Sequence, residues 1–318
     1  MRKIQTKYKN LVQPNVYRKL LRKITVFILS CLLSMSVFAK APTPSSALAK
    51  KQFIQEMVAK HHFSRAYLMH LFAHVKVNHQ IISSTSAPFE AQPWSYYRNY
   101  FVTPKRVKLG AAYLKTHHAL LEKMQKKYGI PASIIVAIIG VETEYGTHLG
   151  KYSVLQSLYT LGFYYPPREK FFRKELGQYL ILARENHLPV TKLKGSYAGA
   201  LGIPQFMPSS YRHYGVSAKG YGRVNLFEND DAIASVANYF YKMGWTPNQP
   251  IAKRLYFSFS YVNKKKAKRL VLPLKHGKEY WETFHNFNVI MAYNHNLVYA
   301  MAVYQLSQAI EKQYARNA

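Results

Sequence analysis

Acidic side chains are scarce in this chain, with 14 Asp and Glu among 318 residues, so a carboxylate in an unusual setting stands out. Glu142 is such a carboxylate. It follows Ile134-Ile-Val-Ala-Ile-Ile-Gly-Val141, eight residues without a polar side chain. A helix apolar on all sides is buried on most of its faces, and a carboxyl at the end of one is partly desolvated. Desolvation favours the protonated form, and a carboxyl that holds its proton near neutral pH can act as a general acid. Glu144 lies two residues on, about 200° round if the helix continues, and is expected to face a base or solvent rather than the same pocket wall. The local pattern also fits a Glu that meets water or an Arg at a helix end.

Other chemistry is thinly represented. The one cysteine, Cys31, lies in an N-terminal apolar stretch, so the rest of the chain offers neither a disulfide framework nor a thiol nucleophile. His61-His62 and His117-His118 are adjacent pairs, which do not share a helix face; they read as surface residues, and no metal site is expected. Lys and Arg number 45, for a formal charge of +31, which calls for an anionic partner or setting. No zinc-finger or RNA-binding signature is present, so nucleic acid is not expected.

The elements that must hold Glu142 are mainly helical. Residues 1–23 carry eight bases and no acid, and residues 24–38 are apolar and end in Ala39-Lys-Ala41. That is the plan of a secretory signal or N-terminal anchor over 1–39, and it implies export to the periplasm. It holds eight of the 31 net positive charges, so 23 remain on the mature part. Residues 40–50 read as a linker. Helical spacing appears over 51–79, 103–127 (with Thr103 as N-cap and Pro104 in the first turn), 131–141, 153–162, 168–186, 230–243 and 289–313. Residues 87–100 are rich in Pro and aromatics and read as irregular. Alternating patches at 255–261 and 269–273, with Lys264-Lys-Lys-Ala-Lys268 between them, predict one hairpin. The expected organisation is a helical domain over 51–245, a small β excursion over 246–280 and a C-terminal helix over 281–318 that completes the core.

Gly140-Val-Glu142-Thr-Glu-Tyr-Gly146 resembles the catalytic signature of lytic murein transglycosylases. Lys194-Gly-Ser-Tyr-Ala-Gly-Ala-Leu-Gly-Ile-Pro-Gln-Phe-Met-Pro-Ser-Ser-Tyr211 resembles the second signature of the membrane-bound lytic transglycosylase B family. Asn238-Tyr-Phe240, Gly244-Trp245 and Tyr293-Asn294 follow at matching spacing. The resemblance spans roughly residues 85–245 and 281–312. It implies a lysozyme-like helical core with added N-terminal helices, and cleavage of the bond between N-acetylmuramic acid and N-acetylglucosamine in peptidoglycan.

The resemblance further implies a single acid/base, Glu142. It protonates the glycosidic oxygen and then takes the proton of the muramic acid 6-hydroxyl, which closes a 1,6-anhydro ring. Most glycosidases use two carboxylates; here no water attacks and one suffices. By the same resemblance Ser196, Gln205, Tyr239, Tyr293 and Asn294 contact substrate, and so does Tyr97. Phe171 stands where the pattern suggests Tyr. Some members carry a calcium loop after the Pro-Ser-Ser-Tyr motif, but here Lys219, Tyr221 and Arg223 hold the ligand positions and only Asp231 remains, so no cofactor is expected. The implied partner is the glycan strand, with an anionic membrane surface as a further one, for a monomeric protein. The rivals are a hydrolytic muramidase, which would need a second carboxylate across the cleft, and a non-catalytic peptidoglycan binder.

Overall fold

The computed structural model describes residues 46–86, 93–257, 262 and 267–317. The segment 1–39, read above as signal or anchor, lies outside them, as do Lys264, Lys265 and Lys266. Helix starts follow the side chains able to cap them. α1 (Ser46–His61) begins inside the stretch read as a linker, and α2 (Arg65–Ala73) begins after Ser64, whose hydroxyl accepts from the Tyr67 amide at 3.3 Å. The helical pattern over 51–79 is thus interrupted at His62, whose φ is 55°. After α3 (His79–Ser86), α4 (Trp94–Phe101) is helical where irregular chain was expected, because Trp94, Tyr97 and Phe101 recur at helical spacing and are all buried.

α5 (Pro104–Thr116) opens as its sequence predicts: the Thr103 hydroxyl accepts from the Arg106 amide at 3.1 Å, and Pro104 occupies the first turn. It ends at His117, and α6 (His118–Tyr128) continues to Gly129, which closes it at φ 72°. The one helix expected over 103–127 is therefore two. α7 (Ala132–Thr143) carries the apolar run, with Ile134 through Ile139 at most 1 % exposed.

The end of α7 is fixed by side chains from both sides of a sharp turn. The Thr143 hydroxyl donates to the Ile203 carbonyl at 2.9 Å and accepts from the Gly146 amide at 3.0 Å. Glu144 and Tyr145 turn the chain through the left-handed region, at φ 46° and 62°. The Tyr145 ring sits where α5 and α7 meet: its hydroxyl donates to the Arg106 carbonyl at 2.8 Å, and a Cβ at Gly140 would lie 2.6 Å from its oxygen. Gly140→Ala is accordingly expected to cost about 1–3 kcal/mol through overpacking, read as a lower melting temperature. An unchanged melting temperature would mean that the ring has room to yield.

β1 (Tyr152–Ser153) leads into α8 (Val154–Tyr164), which is capped by Ser153 and packs along α9 (Glu169–Asn186). β2 (Lys194–Gly195) pairs antiparallel with β1. α10 (Pro208–Tyr214) and α11 (Asn229–Lys242) follow. Next comes a three-stranded antiparallel sheet of β3 (Ala252–Leu255), β4 (Lys268–Pro273) and β5 (Lys278–Thr283), in the order β3-β5-β4. Among the described residues the strand beside β4 is β5, which pairs Trp281 with both Arg254 and Leu270, and Leu255 ends β3. Of the aromatic run, Tyr256 and Phe257 are exposed and 258–261 lie outside the described residues.

α12 (His285–Asn294) and α13 (Leu297–Asn317) replace the single helix expected over 289–313. The break falls at His295, at φ 43°, and the Asn296 side chain restarts the helix by accepting from the Val298 and Tyr299 amides at 2.8 and 3.2 Å. α13 packs on α5 and α7, so the C-terminal helix closes the core around the helix that carries Glu142. Among the described residues no helix is long and apolar enough to cross a membrane.

Candidate active site

Glu142 opens from the last turn of α7 into a cleft of about 470 Å³. Because α7 is immobilised by its buried Ile side chains and by Thr143, the carboxyl is held on a rigid element. Its Oε1 accepts from the Tyr299 hydroxyl at 2.5 Å. Tyr299 is 1 % exposed and reaches Glu142 from the first turn of α13. Burial, reinforced by the Glu142 charge, holds the Tyr299 phenol well above the usual range, so it remains a donor at any working pH. Sequence reasoning missed Tyr299. Its one local signal was position, six residues after Tyr293, in a chain with 27 Tyr.

A second hollow of about 670 Å³, walled by Gln205, Phe206, Tyr239 and Tyr293, carries the groove onward, and Asn294 lines both. The break at His295 thus leaves Asn294 at the junction, with Glu142 on one side and the aromatic wall on the other. Tyr239 donates its hydroxyl to the Ala292 carbonyl at 2.9 Å, and Tyr293 donates to the Pro204 carbonyl at 2.6 Å. Both phenols are committed to the main chain, so these residues offer ring surface rather than hydroxyl donors. Ring faces suit the C–H faces of sugars. Gln205, at φ 49°, donates its amide to the Gly202 and Leu149 carbonyls at 2.8 and 3.3 Å. Its side-chain oxygen receives no hydrogen bond from the described residues.

Two candidates fall differently. Tyr97 lines the Glu142 cleft but is 1 % exposed, with its ring 4.7 Å from that of Phe101, and acts as floor more than as contact. The Ser196 hydroxyl accepts from the Ala198 and Ala200 amides at 3.2 and 3.0 Å, which closes the turn that presents Tyr197 to the cleft. Ser196 therefore shapes the loop, and Tyr197 is the neighbour that reaches the wall. Phe171, in place of Tyr, lies in the second hollow under the Arg168 guanidinium at 4.4 Å.

The expectation for Glu144 is half right. It meets bases, with Lys105 at 2.8 Å and His148 at 3.4 Å, and the Lys105 hydrogen bond leads in holding its carboxyl below the usual range. It nevertheless lines the same cleft as Glu142. The helix ends at Thr143, and a residue in the left-handed region no longer follows helical spacing. In the second hollow Glu175 is 2 % exposed, and both its oxygens are taken by Ser209, from the amide at 2.9 Å and the hydroxyl at 2.6 Å.

A mainly helical core, a carboxyl at the end of a buried helix and an aromatic-walled groove define a lysozyme-like enzyme of polysaccharide cleavage. Residues 46–308 match the family model described as the transglycosylase SLT domain, and the chain belongs to that family of lytic transglycosylases. It is 37 % identical over 295 residues to the membrane-bound lytic murein transglycosylase B of Escherichia coli strain K12, covering 82 % of each chain. It resembles the E. coli lytic transglycosylase Slt35 in complex with calcium, at TM-score 0.78 and 36 % identity, over 84 % of this chain and 94 % of that one. It also resembles SltB3 of Pseudomonas aeruginosa in complex with NAG-anhNAM-pentapeptide, at TM-score 0.73 and 27 % identity, over 85 % and 80 %.

Proposed function

We propose that the protein cleaves the glycan strand of peptidoglycan between N-acetylmuramic acid and N-acetylglucosamine, leaving 1,6-anhydromuramic acid ends, with Glu142 as the only acid/base. The observation that carries this reading is the Tyr299–Glu142 hydrogen bond in the cleft that Asn294 joins to the aromatic-walled hollow. In its acid form Glu142 carries the transferable proton. Glu142 gives it to the glycosidic oxygen as that bond breaks. The resulting carboxylate, steadied by the Tyr299 donor, then removes the 6-hydroxyl proton as that oxygen bonds to C1, and the acid is restored. No water is consumed. Asn294 is placed to orient an N-acetyl group, and Tyr239 and Tyr293 supply the surface along which the strand lies.

Digestion of purified sacculi followed by mass analysis of the muropeptides tests this reading. Anhydro ends lack one water relative to reducing ends. Reducing ends would instead favour a muramidase, for which Glu144, ionised and in the same cleft, would be the second carboxylate.

The enzyme is proposed to work as a monomer in the periplasm without a metal. The loop that follows α10 is closed by Asp231, whose two oxygens accept from the Ala218 and Asn225 amides at 2.9 and 2.7 Å. Lys219, Tyr221 and Arg223 point no carboxylate inward, so the donor set does not fit calcium. The melting temperature is expected to be the same in EDTA and in calcium; a large loss in EDTA that calcium restores would refute this. The basic surface, which includes exposed Lys123, Lys126, Lys127 and Lys268, is proposed to hold the protein near the anionic wall or membrane surface. Binding to sacculi is then expected to fall steeply from low to moderate salt, where screening is nearly complete beyond about 8–10 Å, while turnover of a short neutral muroglycan changes little. Salt-insensitive binding would mean that the charge is only solvated.

A further inference from the structure

Arg106 is a buried cation with an unfinished set of partners. It is 8 % exposed and lines the Glu142 cleft from the first turn of α5. Its Nη1 donates to the Tyr100 carbonyl at 2.6 Å, and the guanidinium lies 5.2 and 5.6 Å from the Phe101 and Tyr100 ring centres. Its Nε is buried without a hydrogen-bond partner. Among the described residues Nη2 makes no hydrogen bond, and no carboxylate forms an ion pair with the group. Glu144 feels its charge, but that carboxylate is bonded to Lys105. A buried charge is ordinarily paired, and leaving one unpaired is costly. A guanidinium fixed by two rings and a carbonyl, with a donor to spare at a cleft wall, is a preorganised site for a planar anion.

We propose that Arg106 reads a carboxylate carried by the muramyl unit bound beside Glu142, and so gives the groove its preference for acidic muramyl strands over neutral amino-sugar polymers. The inference rests on the function proposed above. The same chemistry has two sources on such a strand: the carboxylates of the stem peptide, or the lactyl carboxylate left bare where the stem has been removed. Charge-assisted hydrogen bonds are the stronger kind, and the Nη2 contact adds to binding and orientation at the scissile bond without taking part in either proton transfer.

The test compares kcat/KM for three versions of one short strand: stems intact, stem carboxyls converted to amides, and stems removed by an amidase. Wild-type enzyme is expected to lose about tenfold on amidation, as for one charged hydrogen bond, whereas Arg106→Gln cleaves the intact and amidated strands with equal efficiency. If the stripped strand behaves like the intact one, the lactyl carboxylate is also read; if it behaves like the amidated one, the stem is the source. Equal use of all three strands by wild type overturns the proposal, whereas faster cleavage of the stripped strand alone would name the lactyl carboxylate as the source. A preference that persists in Arg106→Gln also overturns it, since a residue that only packs would lower both rates together. Melting curves monitor folding. Should the Gln variant fail to fold, Arg106→Lys, which keeps the charge but not the fork, is read in the same cycle and is expected to lose most of the discrimination. Failure of wild type to form anhydro ends from any strand would count against the proposed function instead.

Discussion

Glu142→Gln is expected to abolish glycan cleavage, lowering turnover on sacculi by about 10³-fold or more, while melting temperature and glycan binding stay close to wild type. General acid–base groups contribute about 10²–10⁴-fold, and here one group performs both transfers. The amide keeps the shape of the carboxyl and still accepts from the Tyr299 hydroxyl, so the α7 terminus has no reason to rearrange. It has no proton to give and cannot recover one from the 6-hydroxyl. The matched control is Glu144→Gln, which loses the Lys105 ion pair, a partly exposed contact worth less than about 1 kcal/mol. Most of the activity is expected to remain. Near-full activity in the first variant together with loss in the second would place the chemistry on the wrong carboxylate.

The second large effect is expected at Tyr299→Phe. The phenol touches no substrate in this reading; it acts through Glu142 and is a positioning residue. Its hydrogen bond strengthens when Glu142 becomes anionic between the two proton transfers, so its loss is felt in kcat more than in KM. A hydrogen bond to a charged group contributes about 1.5–3 kcal/mol, which corresponds to about 10- to 100-fold in rate. The pH profile gives a readout that lost packing would not. A donor on Oε1 favours the ionised carboxylate, so without it the acid form persists to higher pH. The alkaline limb of kcat is expected to move upward while the fold holds. Because burial and the Glu142 charge keep the Tyr299 phenol far above the assay range, that limb cannot come from Tyr299 itself. A uniform loss at every pH, with both limbs in place, would reduce Tyr299 to packing.

Glu142 and its helix were legible in the sequence because they depend on local facts. Eight apolar residues in a row must be buried, and a carboxylate that follows them emerges at a helix end. Thr103, Pro104, Ser153 and Gly129 mark helix boundaries by the same local logic, and the ordered motifs from Gly140 to Asn294 carried the family. What the sequence left open was every place where the chain turns without glycine or proline. His62, Glu144 and His295 adopt positive φ with ordinary side chains, and His117 ends a helix from an ordinary backbone region. Such turns are held by long-range contacts and carry no local signal. That is why Glu144 lines a cleft that helical spacing denied it.

The proposed substrate contacts divide along the same line. Tyr239, Tyr293, Asn294 and Gln205 were found by motif, yet only the packed molecule spends the two phenols on carbonyls and the Ser196 oxygen on its own turn. Tyr299 could be singled out only by tertiary structure. Its partner is 157 residues away, and a hydrogen bond over that separation depends on how α13 lies across α7, a geometry set by the whole core rather than by spacing within either helix.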